Sequence, residues 1–470
     1  MINAYFESQI KENFRLQPTL EQEKALKSLS SYLFSSWERC VFLLKGYAGT
    51  GKTSLIGALV KALVQFKQPV ILLAPTGRAA KVFSQYAEHP AYTIHRCIYR
   101  EKTVNDISSV FTLNYNKYKH AIFIVDEASM IANGGISDNV FGSGRLLEDM
   151  IDFIYSGEGN RLIVLGDLAQ LPPIGDKISH ALVDATYINL GLDVISEELT
   201  QVVRQSKDSG ILSNATLIRD LLNNENGQFP KVKVRGFGDV NLLSSEEFIE
   251  SITSSYDKVG IDETMVICRS NRQAKIYNNG IRSMVLGFED ELTSGDRIMI
   301  VKNNYYWTEG IKEIGFIANG DIAYVRRVRK CRELYGFRFA DVTLEFPDYD
   351  DYELDVTVLL DTLQSEAPSL TKGQQEELFN RISEDYLNES KKEIYKSLRT
   401  NPYFNALQIK YAYAVTCHKS QGGQWAHVYL DQGYISERIF ATDYFHWLYT
   451  AFTRATEKLY LVNWPENLLE

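Results

Sequence analysis

At 470 residues the chain is long enough for about three domains of ordinary size, and its 45% apolar and 23% charged residues exclude a mainly disordered or collagen-like protein. A formal net charge of −10 argues against coating nucleic acid by bulk electrostatics, so any such contact must be a local channel. No run approaches the roughly eighteen uninterrupted apolar residues of a membrane span, the N-terminus carries charges where an export signal would be apolar, and the five scattered cysteines form no C-x-x-C pair; the expectation is a soluble, cytoplasmic chain without disulfides or a zinc site.

In chain order, Leu20, Ala25, Leu26, Leu29 and Leu33 recur at helical spacing between Thr19 and Ser35, and VFLLKG (41–46) reads as a buried strand. A helix over 53–64, the strand PVILLAP from Pro69, a helix over 77–87 and the strands HAIFIVDE from His120 and NRLIVLGD from Asn160 follow. Buried strands separated by helices predict a parallel α/β sheet. A second such block runs from about Glu197 to Gly295, around TMVICRS and a helix, and resumes near Leu407 with IKYAYAVTCHKSQGG, VYLDQG and KLYLVNW. Between them, 296–406 opens with glycine-punctuated β-like segments and ends in polar helices, which predicts an inserted β domain with a helical appendage. Its basic strand (Arg326, Arg327, Arg329, Lys330, Arg332) either pairs with the acidic run 348–355 or tracks phosphates, and pairing is the favoured reading. The polar segment 97–119, alternating around Val110–Leu113, predicts a projecting β-hairpin.

GYAGTGKT (46–53) fits G-x-x-x-x-G-K-[ST] between a strand and a helix. At that spacing Gly46, Ala48, Gly49, Thr50, Gly51 and Ser54 belong to a backbone cradle for phosphates, Lys52 reaches the β and γ phosphates, and Thr53 ligates Mg²⁺; ATP and Mg²⁺ are the expected cofactors. Asp126 and Glu127 end an apolar strand, where α/β sheets bind ligands: Asp126 suits the Mg²⁺ shell and Glu127 the attacking water. In GDLAQLPP, Gln170 is a candidate γ-phosphate sensor, although taken alone the string is only a turn signal.

These strings, in this order, resemble superfamily 1B helicases of the RecD and Dda type, and the resemblance covers nearly the whole chain. Gln22 looks like an adenine-reading glutamine, GYAGTGKT like motif I, APTGRAAK and TIHR like motifs Ia and Ib, VDEASM like motif II, GDLAQLPP like motif III, LTQVVRQ like motif IV, TCHKSQGGQW like motif V and YTAFTRA like motif VI. The resemblance implies two RecA-like parallel-sheet domains, 1–96 with 120–195 and 196–295 with 407–470, a hairpin pin at 97–119 and an SH3-like insert with its helical appendage at 296–406. It implies arginine fingers at Arg204 and Arg454, a nucleotide contact at Gly423, and DNA contacts at Pro75, Thr76, Arg78, His95, Thr416, His418, Ser420 and Gln421, with Phe111 as a stacking wedge at the pin. The implied activity is ATP-driven translocation on single-stranded DNA, 5′ to 3′, with unwinding of duplex and fork junctions in repair, recombination or replication. A monomer is expected, with a single-strand-binding or recombination protein as partner. Competing readings are a P-loop protein that moves nothing, which predicts no YTAFTRA or TCHKSQGG, and a translocase or assembly subunit that does not unwind; intact Lys52, Glu127 and Arg454 count against a catalytically silent subunit.

Overall fold

The computed structural model describes residues 2–470 apart from 15–16, 105–107, 135–141, 203–208, 224–229, 312–313, 315, 387–388 and 435–441. The first half contributes β1 (Cys40–Gly46), β2 (Val70–Ala74), β3 (Ala91–Thr93), a hairpin of β4 (Tyr99–Val104) and β5 (Ser108–Leu113), β6 (Ile122–Val125), β7 (Arg161–Gly166) and β8 (Asp193–Leu199). Except for the hairpin these form one parallel sheet in the order β3-β2-β6-β7-β1-β8. β6 is buried at every position and β1 nearly so, because helices cover both faces, which is why these strands read as continuous apolar runs.

The second half has β9 (Val240–Leu243) and β10 (Thr264–Cys268), then a closed barrel of β11 (Arg297–Ile300), β12 (Ile322–Leu334), β13 (Phe337–Phe346), β14 (Tyr352–Leu359) and β15 (Leu407–Tyr411), and finally β16 (Ala414–Thr416), β17 (Trp425–Asp431) and β18 (Ala455–Val462). The second sheet, β16-β10-β17-β18-β9, is again wholly parallel. The fold is α/β: two RecA-like sheets, a hairpin inserted in the first and a small β barrel with a helical appendage inserted in the second.

Two expected boundaries move. β8 pairs with β1 along its length, so the first sheet runs to Leu199 and not to 195, and Leu407–Tyr411 belongs to the barrel, so the second sheet resumes at Ala414. The cause of the second shift is that IKYAYAVT reads as one strand, whereas the chain finishes the barrel before entering the sheet two residues later. Arg329 pairs with Asp355 of the acidic run, as favoured for this basic strand, whereas Arg326 and Arg332 pair with Glu345 and Asp341 on β13, outside that run. All five cysteines are free, and among the described residues no helix is long and apolar enough to cross a membrane.

Candidate active site and DNA face

Strand order explains why three separate motifs meet. β6, β7 and β1 are neighbours, so Asp126 and Glu127 after β6, Asp167 and Gln170 after β7 and the phosphate loop after β1 all leave the same edge of the sheet. The loop enters the helix Lys52–Gln65 through Gly51 at φ +81°, a left-handed turn that glycine makes without strain. Lys52 and Thr53 open that helix and Ser54 is exposed on it. Lys52 Nζ donates to the carbonyls of Gly46 and Tyr47, which holds the ammonium inside the cradle.

Asp126 Oδ1 accepts from the Glu127 amide at 2.8 Å. Burial, with Glu127 next to it, pushes the Asp126 carboxyl up to about 7. Glu127 itself sits at φ +51°, a left-handed backbone that a non-glycine residue keeps only where its surroundings enforce it, and such outliers concentrate at working sites. The Gln170 amide, oriented so that both of its ends are satisfied, donates to Glu127 Oε2 at 3.2 Å and accepts from Arg454 Nη2 at 3.2 Å. One amide therefore joins a carboxylate of the first half to a guanidinium of the second. Arg454 is almost fully buried and also donates to the carbonyls of Thr450 and Gly423 and to Thr453 Oγ1.

Two residues that the sequence reading passed over close the same cleft. Tyr449 Oη accepts from the Ala48 amide at 2.8 Å and donates to Asp167 Oδ2 at 2.7 Å, and the Leu171 amide donates to Thr450 Oγ1 at 2.8 Å. Burial raises the Asp167 carboxyl, and the tyrosine hydroxyl is one of the donors that restrain it. The available signal was the pair of hydroxyl residues Tyr449 and Thr450 near the end of the helix Thr442–Phe452, with Thr453 just after it.

Several expected contacts land elsewhere. Gln22 is buried; its Oε1 accepts from the Thr19 amide in a capping box and its Nε2 donates to the Thr50 carbonyl at 2.9 Å, so it braces the phosphate loop with both ends of its amide already engaged. Gly423 is placed by packing, since a side chain there would strike Arg78 and Trp425. Arg204 lies outside the described residues.

Among the residues expected to meet DNA, Pro75 precedes Thr76, which caps the helix Gly77–Ala87 by accepting from the Ala79 amide at 3.2 Å. Thr416 and His418 are half-buried, and Thr416 lines a recess with Lys275, Lys410 and Lys419, three cations the motif reading did not name. Burial lowers Lys410 and Lys419 to about 8.

Ser420 and Gln421 are buried and turned inward, donating to the carbonyls of Cys417 and Leu171, because their loop must seat against the first half. Arg78 stacks on Trp425 rather than facing outward. His95 is pushed down to about 4 by burial and is neutral at pH 7. Phe111 is not at the hairpin turn: it pairs with Glu101 along the ladder, is 8% exposed and packs on Tyr305 with centroids 4.4 Å apart, because this side of the hairpin leans against the segment after β11.

A profile described as an AAA domain matches residues 19–227, and one described as a UvrD-like helicase C-terminal domain matches 411–462. The chain is 23% identical to an uncharacterized protein of Acanthamoeba polyphaga mimivirus, covering 89% of this chain and 94% of that one. It is 23% identical to an uncharacterized protein of Methanocaldococcus jannaschii, covering 96% of this chain but 39% of that longer protein. The ATP-dependent DNA helicase Dda of Enterobacteria phage T4 is 26% identical over 66% of this chain and 70% of its own length. A solved Pif1 helicase from Bacteroides, in complex with ADP-AlF3 and single-stranded DNA, shares 16% identity with a TM-score of 0.48 over 97% of this chain and 95% of that one. The two profiles fall in order on the two RecA-like sheets and the Dda match takes in two thirds of the chain, so the chain resembles the ATP-dependent DNA helicases of the Dda type.

Proposed function

We propose that the enzyme moves 5′ to 3′ along single-stranded DNA and splits the duplex ahead of it, using ATP bound between the two RecA-like sheets. The observation that carries this reading is the side-chain chain Glu127–Gln170–Arg454, which ties a base in the first half to an arginine of the second, so that closure of the cleft and assembly of the catalytic groups are one event. In this scheme the amides of 46–54 and Lys52 bind the phosphates, Glu127 orients and deprotonates the attacking water, Gln170 relays the phosphate state, and Arg454, with Arg204, neutralises charge on the leaving phosphate.

The adjacent carboxylates Asp126, close enough to Lys52 to feel its charge, and Glu127 are hard-oxygen donors of the kind that fits Mg²⁺. Thr53 and Asp126 would hold that ion, which supplies charge neutralisation at the phosphates. Translocating DNA lies against Thr76, Thr416, His418 and the lysines 275, 410 and 419, whose contacts to backbone phosphates need no base sequence. The functional units are the first half to Leu199, the hairpin 97–119, the second half and the barrel insert with its helical appendage. The deciding experiment measures ATPase with and without single-stranded DNA and then unwinding of forks carrying either a 5′ or a 3′ tail. Stimulated hydrolysis with opening of 5′-tailed forks is expected. Efficient opening of a fork with only a 3′ tail overturns the polarity, and stimulated hydrolysis without any opening leaves a translocase that does not unwind.

A further inference from the structure

The loop before β17 packs closely against the helix Gly77–Ala87 of the first half, and two glycines permit it. A Cβ on Gly422 (φ +74°) would meet the Ala79 Cβ at 2.9 Å, and one on Gly423 would meet Arg78 Nε at 2.9 Å. In the contact so allowed, the Arg78 guanidinium lies 4.6 Å from the Trp425 ring centroid, and Nη2 donates to the Gln424 carbonyl at 3.3 Å. Further along the same helix, Tyr86 Oη donates to Gln424 Oε1 at 3.0 Å.

The other side of this loop holds the arginine of the active site. Arg454 Nη1 donates to the Gly423 carbonyl at 3.1 Å, and the Trp425 amide donates to the Arg454 carbonyl at 2.9 Å. Residues 423–425 thus touch both Arg454 and the helix Gly77–Ala87. Arg78 Nε and Trp425 Nε1 are both buried without a hydrogen-bond partner, so ring stacking is the principal link between these two side chains. A cation over a ring gains strength when desolvated and, unlike a hydrogen bond, tolerates sliding across the ring face, which suits two bodies that shift against each other.

We propose that Arg78 and Trp425 form a coupling pair, positioning residues that pass movement of the helix Gly77–Ala87, which DNA displaces, to Arg454 and so set how strongly DNA accelerates hydrolysis. This rests on the ATPase reading above and adds to it residues that act through Arg454 without touching ATP. Trp425→Leu should keep DNA-free turnover within about twofold and single-stranded DNA affinity unchanged, while stimulation at saturating DNA falls by about three- to thirtyfold. Trp425→Phe, which keeps a ring face, should restore most of it.

Because Trp425 is buried, Arg78→Met provides an arm that does not empty the core: it keeps apolar cover on the ring and removes the charge, and decides the matter if Trp425→Leu does not fold. It should lower stimulation at saturating DNA, and combining it with Trp425→Leu should add little to either single change. Unchanged stimulation in both variants overturns the proposal. So does a Trp425→Leu loss that is equal with and without DNA and is not rescued by phenylalanine, which marks a structural role. An Arg78→Met protein that loses DNA affinity yet is fully stimulated at saturation shows a direct DNA contact instead, and also overturns it. A parent chain that single-stranded DNA does not stimulate at all overturns the helicase reading and this proposal with it, a result distinct from the others.

Discussion

The nucleotide cleft and the DNA face were both read from short motifs, yet the two behave differently in the fold. In the cleft, Lys52, Asp126, Glu127, Gln170 and Arg454 converge from β1, β6, β7 and the helix Thr442–Phe452. On the DNA face, Ser420, Gln421, Arg78 and Phe111 turn into the protein. A phosphate cradle depends on backbone amides and glycine spacing, which a motif records directly. A DNA contact depends on which way a polar side chain points, and its letter does not record that.

The largest effect should come from the cleft. Lys52→Ala removes the ammonium from a site where preorganised charge supplies most of the catalysis, and turnover should fall at least about a thousandfold. ATP hydrolysis near the parent rate would break that side of the comparison. Arg454→Ala should lower kcat by a factor on the order of a thousand while leaving the Kd for single-stranded DNA largely intact, since the arginine meets Gln170 in the cleft. Normal hydrolysis with lost DNA binding would exchange the two roles.

On the other side the expected losses are of stability. Phe111→Ala opens a cavity beside Tyr305 and should cost about 3–5 kcal/mol in denaturant unfolding, with ATPase and unwinding reduced in proportion. A selective loss of unwinding at unchanged stability would restore Phe111 as a wedge. Gln421→Ala leaves the Leu171 carbonyl without its side-chain donor and should cost about 1–3 kcal/mol, with DNA affinity changed by less than about twofold.

The smallest effect concerns His95. Its folded-state value of about 4 lies below the ordinary 6.5, so the unfolded chain takes up a proton that the folded chain refuses. Stability from this group is complete above about pH 6.5 and declines as the pH falls towards 4. His95→Gln should flatten that decline in urea midpoints and leave the salt dependence of DNA binding unchanged, because a neutral imidazole releases no counterion. A shallower salt slope in the variant would show that His95 is a charged DNA contact after all.

How far the sequence carried follows from range. The P-loop, the strand ending in Asp126 and the alternation of buried strands and helices are local patterns, and both parallel sheets follow from them. The Gln421 bond to Leu171 spans 250 residues and the Tyr449 bond to Asp167 spans 282, so no local pattern names the partner of either. The bond that Gln22 makes to the Thr50 carbonyl is hidden for a similar reason: an amide able to read a base can equally brace a loop, and the motif does not record which. Leu407–Tyr411 was assigned to the wrong sheet because apolar alternation does not say which neighbour a strand will pair with.

That barrel strand has one more implication. β14 and β15 lie side by side in parallel, with Val358 opposite Leu407, so the whole helical excursion between them leaves and re-enters the barrel at adjacent points. Closing a loop whose ends already touch costs little more when it lengthens, about 0.6 kcal/mol for each doubling. The excursion is therefore a natural splice site: cargo of quite different size can be grafted there, a fluorescent reporter included, and ride on the motor without altering the register of either RecA-like sheet.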